Sequence, residues 1–218
     1  MSRATSLLGW LAAAGLLAGL VMGFGVAPRE ATQGNVQRIM YLHVPSVWVA
    51  YLAFAVVLVA SIAYLAKRAA AADHLAHASA EVGVLFTGIT IATGSIWGKP
   101  TWGTWWTWDA RLTSVAVLFV MYVGYLLLRG MIEERERAAR YAAVLGILAA
   151  LNIPLVHFSV VWWRTLHQPP SLMKPGASAM PGIIVAALLV NFLAFSLVYI
   201  YFVAKRARLL RLEEEAAD

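Results

Sequence analysis

GIIVAALLVNFLAFSLVYIYFVA, from Gly182 to Ala204, runs for 23 residues without a charged side chain. At about 1.5 Å of rise per residue, a helix of that length crosses the roughly 30 Å hydrocarbon core of a bilayer. Reading outward, comparable apolar runs cover Leu7 to Ala27, Val44 to Ala66, Glu81 to Trp97, Leu112 to Leu128 and Tyr141 to Val161. The third is short and opens on a glutamate. The chain is 61% hydrophobic and 13% charged, a balance that suits lipid rather than water. These runs predict an all-α polytopic membrane protein of six transmembrane helices. In 218 residues the spans leave no room for a separate soluble domain, so residues 1–218 are expected to form a single integral membrane domain whose function sits in the bundle and its loops.

Six spans place both termini on one side. Arg3, Lys67, Arg68, Arg129, Arg135, Arg137, Arg140, Lys205, Arg206, Arg208 and Arg211 fall on that side; Arg29, Arg38, Lys99, Arg111, Arg164 and Lys174 fall on the other. The excess predicts cytoplasmic termini. The net charge of +6 is distributed at span ends rather than in one patch, which argues against nucleic acid as a partner. The first run is longer than a typical signal-peptide core and is read as an anchor.

No cysteine is present, which removes disulfides, iron-sulfur clusters, thiolate nucleophiles and covalent c-type haem attachment. The segment Lys67 to Ala80, with His74 and His77, reads as an Ala-rich cytoplasmic connection with solvated histidines. Glu133 to Arg140 alternates acids with arginines at helical spacing. Nothing there resembles a nucleotide site.

The opposite loops differ. WGKPTWGTWWTWDARLTS, Trp97 to Ser114, holds five of the nine tryptophans: Trp97, Trp102, Trp105, Trp106 and Trp108. An aromatic belt at the headgroup level accounts for isolated indoles but does not require such crowding. A helix over Trp102 to Asp109 would align Trp102, Trp105 or Trp106, and Asp109 near one face and lie flat on the membrane. A row of indoles also makes a flat, polarisable wall suited to a planar porphyrin. Lys99 and Arg111 flank it as candidate partners for haem propionates, and Asp109 is placed to fix Arg111 or to cap the following span.

His43, in Tyr-Leu-His-Val-Pro, and His167, in Thr-Leu-His-Gln-Pro, border the same layer from different loops, beside Pro45, Pro169 and Pro170. Two imidazoles so placed are candidates to bracket one haem iron. His157 lies within the fifth run near its outer end and needs a polar partner, so it is read as packing or as support to the ligands.

On these residues the chain resembles the haem exporter protein C family of the bacterial cytochrome c maturation system. That family falls in the haem-handling superfamily marked by a "WWD" segment. The resemblance covers Gln33 to Pro45, Trp97 to Ser114 and His157 to Gln168. A bare WGxxWxWD is also similar to the cytochrome c synthetases, but the continuation Ala110-Arg-Leu-Thr-Ser114 matches the exporter subfamily.

The resemblance implies that His43 and His167 are axial ligands of a non-covalent haem b and that Trp102, Trp105, Trp106, Trp108 and Asp109 form its platform. It further implies a non-enzymatic subunit of the inner membrane that delivers haem to a membrane-anchored periplasmic chaperone. Its other implied partners are ATP-binding cassette subunits, where ATP hydrolysis would reside, and a small single-span subunit. A cytochrome b-like electron carrier would pair ligands on facing helices within the bundle. A transporter would need more midplane polar groups than Asn152, Pro154, His157 and Asn191.

Overall fold

The computed structural model describes residues 3–167 and 180–217 and is helical throughout its spans. α1 (Arg3–Leu20) continues as a π-helical turn, Val21–Val26; a 3-10 turn, Val36–Ile39, leads into α2 (Met40–Lys67). α3 (Ala70–Trp102), α4 (Ala110–Met131), α5 (Arg135–Ala150), α6 (Asn152–Trp162) and α7 (Gly182–Glu215) follow. Six segments are long and apolar enough to cross a membrane: Arg3–Val26, Val36–Lys67, Ala70–Trp102, Ala110–Met131, Arg135–Trp162 and Gly182–Glu215. The chain is a multi-pass membrane protein.

α2 is the central rod, packed along α3, α5 and α7, while α1 lies against α7. At its middle Phe54 stacks face to face on Tyr122 with ring centroids 3.6 Å apart. Asn191 ties α7 to α1 by donating to the Gly19 carbonyl at 3.0 Å. That contact satisfies an amide which would otherwise sit unpaired among apolar side chains.

Several expectations change. The third span is not short: α3 begins at Ala70, because Arg68 turns the chain in a left-handed conformation (φ 54°) and the Ala-rich stretch then resumes helix at once. What read as a connection from Lys67 to Ala80 is therefore mostly the first turns of α3. Its histidines are not freely solvated: His74 meets Glu214 at 2.8 Å and His77 meets Glu81 at 3.2 Å. Around them Arg129 forks onto Asp73 at 2.7 and 2.6 Å, and Arg206 onto Glu81 at 2.6 and 3.0 Å. These pairs lace α3, α4 and α7 together at the end where the termini lie.

The fifth span is two helices, α5 and α6, interrupted at Leu151. Pro154 has no N–H to offer the Ala150 carbonyl, and Asn152 turns its amide to the Ser114 carbonyl of α4 at 2.8 Å. At the other end of the bundle α3 stops at Trp102, where Gly103 adopts φ 79° and donates its N–H to the Lys99 carbonyl. A left-handed residue at that point suits glycine, which has no Cβ to clash. Residues 103–109 are consequently irregular, and the expected helix over Trp102 to Asp109 does not form.

Candidate functional site

The recess beneath the tryptophan segment is built by α2, α3, the start of α4 and the loop after α6. His43 projects from the second turn of α2 and is buried. It does not sit in a loop as its neighbour Pro45 suggested. Pro45 lies inside the helix, near enough to the amino-terminal end that the helix continues past it. His43, Val47 and Tyr51 recur at four-residue spacing on one face of α2, and Thr87, Thr90 and Gly94 answer from α3.

From above come Trp102, Trp105, Trp106 and Thr107; from the side, Arg111 and His167. Both candidate histidines thus border one space. This slot holds about 760 Å³ between atoms, open mouth included. Trp105, 57% exposed, carries the slot to the surface.

His167 is positioned through its backbone neighbours. Its ring lies against Trp102 with centroids 4.8 Å apart, and Thr165 Oγ1 donates to its carbonyl at 3.1 Å. Asp109 caps α4 by accepting the Leu112 N–H at 2.9 Å, and its other oxygen accepts the Leu166 N–H at 3.0 Å. One carboxylate thus joins the start of α4 to the loop that carries His167. Burial holds the His167 imidazole down at about 4, with the Arg111 and His43 charges adding to the effect and Asp109 opposing it. The ring is neutral at physiological pH, the form that ligates a metal.

The other sequence-derived candidates divide. Trp108 is 77% exposed, stands edge-on to Trp106 at 5.5 Å and does not line the slot. Asp109 is a strut rather than part of a flat wall. Lys99 is exposed and donates to the Gly103 carbonyl at 3.0 Å, closing the end of α3. Arg111 lines the slot, turning one guanidinium nitrogen to the Val156 carbonyl at 3.4 Å. His157 faces outward from α6 against Phe158 at 5.0 Å and does not line the slot. Among the described residues its ring contact is with Phe158, a packing contact.

Among the described residues, buried polar atoms without a hydrogen-bond partner concentrate at the slot: Tyr51 Oη, Thr90 Oγ1, Trp106 Nε1, Thr107 Oγ1 and His167 Nδ1. Buried polar groups are normally paired, so a lining with these open valences can satisfy a ligand that has polar edges as well as an apolar face. Flat indoles, two imidazoles, hydroxyls and one arginine fit haem: face, iron and carboxylates each find a chemical counterpart. Tyr51 and Thr90 were missed by sequence reading. Their signal was the four-residue spacing from His43 and the Thr87, Thr90, Thr93 stripe on α3.

A family model described as "Heme exporter protein C" matches residues 1–218. The chain is 43% identical over 207 residues to the "Heme exporter protein C" of Bradyrhizobium diazoefficiens, covering 93% of this chain and 78% of that one. It is 40% identical to the Haemophilus influenzae protein of the same description, covering 91% and 80%. With the Escherichia coli K12 protein it shares 44% identity over 168 residues, 76% of this chain and 69% of that one. The chain belongs to the haem exporter protein C family.

Proposed function

We propose that this protein holds haem b non-covalently in the slot, with His43 and His167 as the two protein ligands of the iron. On this reading it then passes the haem to a membrane-anchored periplasmic chaperone. Family membership gives the broader role, haem handling for cytochrome c maturation. The observation that carries the finer reading is that His43, from α2, and His167, from the loop after α6, line one slot together with the indoles and Arg111. Bound haem would bring its iron as the atom for both imidazoles; Arg111 would pair with a propionate, and Trp102, Trp105 and Trp106 would exclude water from the ring.

The site then faces the periplasm of a bacterial inner membrane, and both termini face the cytoplasm, as the arginine and lysine distribution favours. On the same reading, ATP hydrolysis resides in separate cassette subunits that assemble with this chain and a small single-span subunit.

An absorption spectrum of the purified protein expressed without partners tests the ligand assignment. A six-coordinate low-spin Soret and visible pattern is the expected result. Absence of bound haem, or a low-spin spectrum unchanged in both His43→Gly and His167→Gly, overturns it.

A further inference from the structure

Three residues on two successive turns of α3 meet the ring of His43. Thr93 Oγ1 lies 3.0 Å from Nδ1, and Trp97 stands edge-on with centroids 5.8 Å apart. Gly94 leaves the gap between them, since a Cβ there would come within 3.0 Å of His43 Cε1. Trp97 is itself anchored by donating Nε1–H to Gln33 Oε1 at 2.8 Å.

The direction of the His43–Thr93 bond follows from counting hydrogens. Thr93 has one hydroxyl hydrogen, and its Oγ1 stands 2.7 Å from the Ile89 carbonyl oxygen. Two oxygens at that distance need a hydrogen between them, and the carbonyl has none. The hydroxyl hydrogen is therefore committed to Ile89, and Thr93 faces His43 with lone pairs. The imidazole must donate from Nδ1. In the neutral ring Nε2 then carries no hydrogen and keeps its lone pair.

We infer that Thr93 is a positioning residue that fixes His43 as the Nδ1–H tautomer and leaves the Nε2 lone pair for a ligand atom in the slot. The inference deepens the haem reading and rests on it for the identity of that atom. A metal-ligating histidine is commonly oriented by an acceptor on its second nitrogen, which also raises its basicity. Here the acceptor is a hydroxyl on the facing helix, locked by its own bond to the preceding turn. Serine at 93 preserves this arrangement. Valine keeps the branched shape and loses the acceptor.

The test uses ¹⁵N-histidine-labelled full-length protein without haem, whose ring nitrogens distinguish protonated from bare sites by chemical shift. His43→Gln identifies the His43 signals. Nδ1 protonated and Nε2 bare is expected in the parent protein and in Thr93→Ser, with the tautomer mixed or reversed in Thr93→Val. Thr93→Ala serves as a second acceptor-free variant should the valine protein fail to fold.

After haem loading, Thr93→Val should bind haem about tenfold more weakly and show a raised midpoint potential, both restored in Thr93→Ser. A His43 ring protonated at Nε2 in the parent, or an unchanged Nδ1–H tautomer in both acceptor-free variants, overturns the inference. Because the tautomer is read without haem, a parent protein that takes up no haem defeats the haem reading alone. A bis-histidine spectrum beside a failed tautomer result defeats the positioning role alone.

Discussion

Asp109 Oδ2 accepts the backbone N–H of Leu166 at 3.0 Å, one residue before His167, while Oδ1 caps α4. Asp109→Ala should lose the cap, about 1 kcal/mol of stability, and free the Leu166 amide. Asp109→Asn retains a single acceptor and cannot satisfy both N–H groups with a carbonyl oxygen. In haem-loaded protein both variants should move the spectrum towards that of His167→Gly, with the His43 tautomer unaltered. Thermal unfolding and visible spectra check it; a parent-like spectrum in Asp109→Ala would remove Asp109 from the placement of His167.

The ligand pair gives a chemical rescue experiment. Removing either imidazole leaves one protein ligand, so His43→Gly and His167→Gly should shift from six-coordinate low spin towards a five-coordinate or water-ligated form. Exogenous imidazole should restore the low-spin spectrum in each. The double variant should lose haem. His157→Gly should leave the spectrum as it was, because His157 faces away from the slot.

The indoles are not equivalent. Trp106 lines the slot with an unpaired N–H, whereas Trp108 lies outside it. Trp106→Phe should reduce the haem that copurifies, by about tenfold in affinity if one hydrogen bond and part of the stacking area are lost. Trp108→Phe should change it little, and equal losses in the two variants would return the whole segment to the role of an interfacial belt.

The low value at His167 has a defined pH signature in the haem-free protein. Its folded pKa, about 4, lies below the ordinary 6.5, so the unfolded chain takes up the proton first as pH falls. The stability tied to the neutral ring is complete above about pH 6.5 and declines as pH falls from there towards 4. An NMR titration should place the His167 midpoint near 4. In His167→Phe the fall in melting temperature across that window should be shallower.

Hydropathy and charge made the six spans legible, because the bilayer imposes length and apolar composition on any spanning helix. Local backbone events were not legible. The left-handed Gly103 ends α3 and unwinds the tryptophan segment, where indole spacing alone suggested a helix. Pro45 read as a break, yet it sits early enough in α2 for helix to continue and for His43 to be buried. Tyr51 and Thr90 passed as ordinary span residues, since only the pairing of α2 with α3 reveals that both face the slot. Asp109 reads from sequence as part of the platform and as a partner for Arg111 or a cap, all local roles; its bond to Leu166 spans the distance between α4 and the loop after α6, which no local pattern encodes.

The interruption at Leu151 divides a span that hydropathy treats as one rod. Beyond it, α6 is roped to the first turns of α4 by Asn152 on Ser114 and Arg111 on Val156, and the His167 loop follows directly. Amide exchange should therefore resolve two cooperative units. α5, packed along α2 and α4, would exchange only with global unfolding; α6, the start of α4 and the segment through His167 would open together and sooner. If the slot holds haem as proposed, the cargo would enter or leave at the free-energy cost of opening the smaller unit, while the rest of the bundle stays folded.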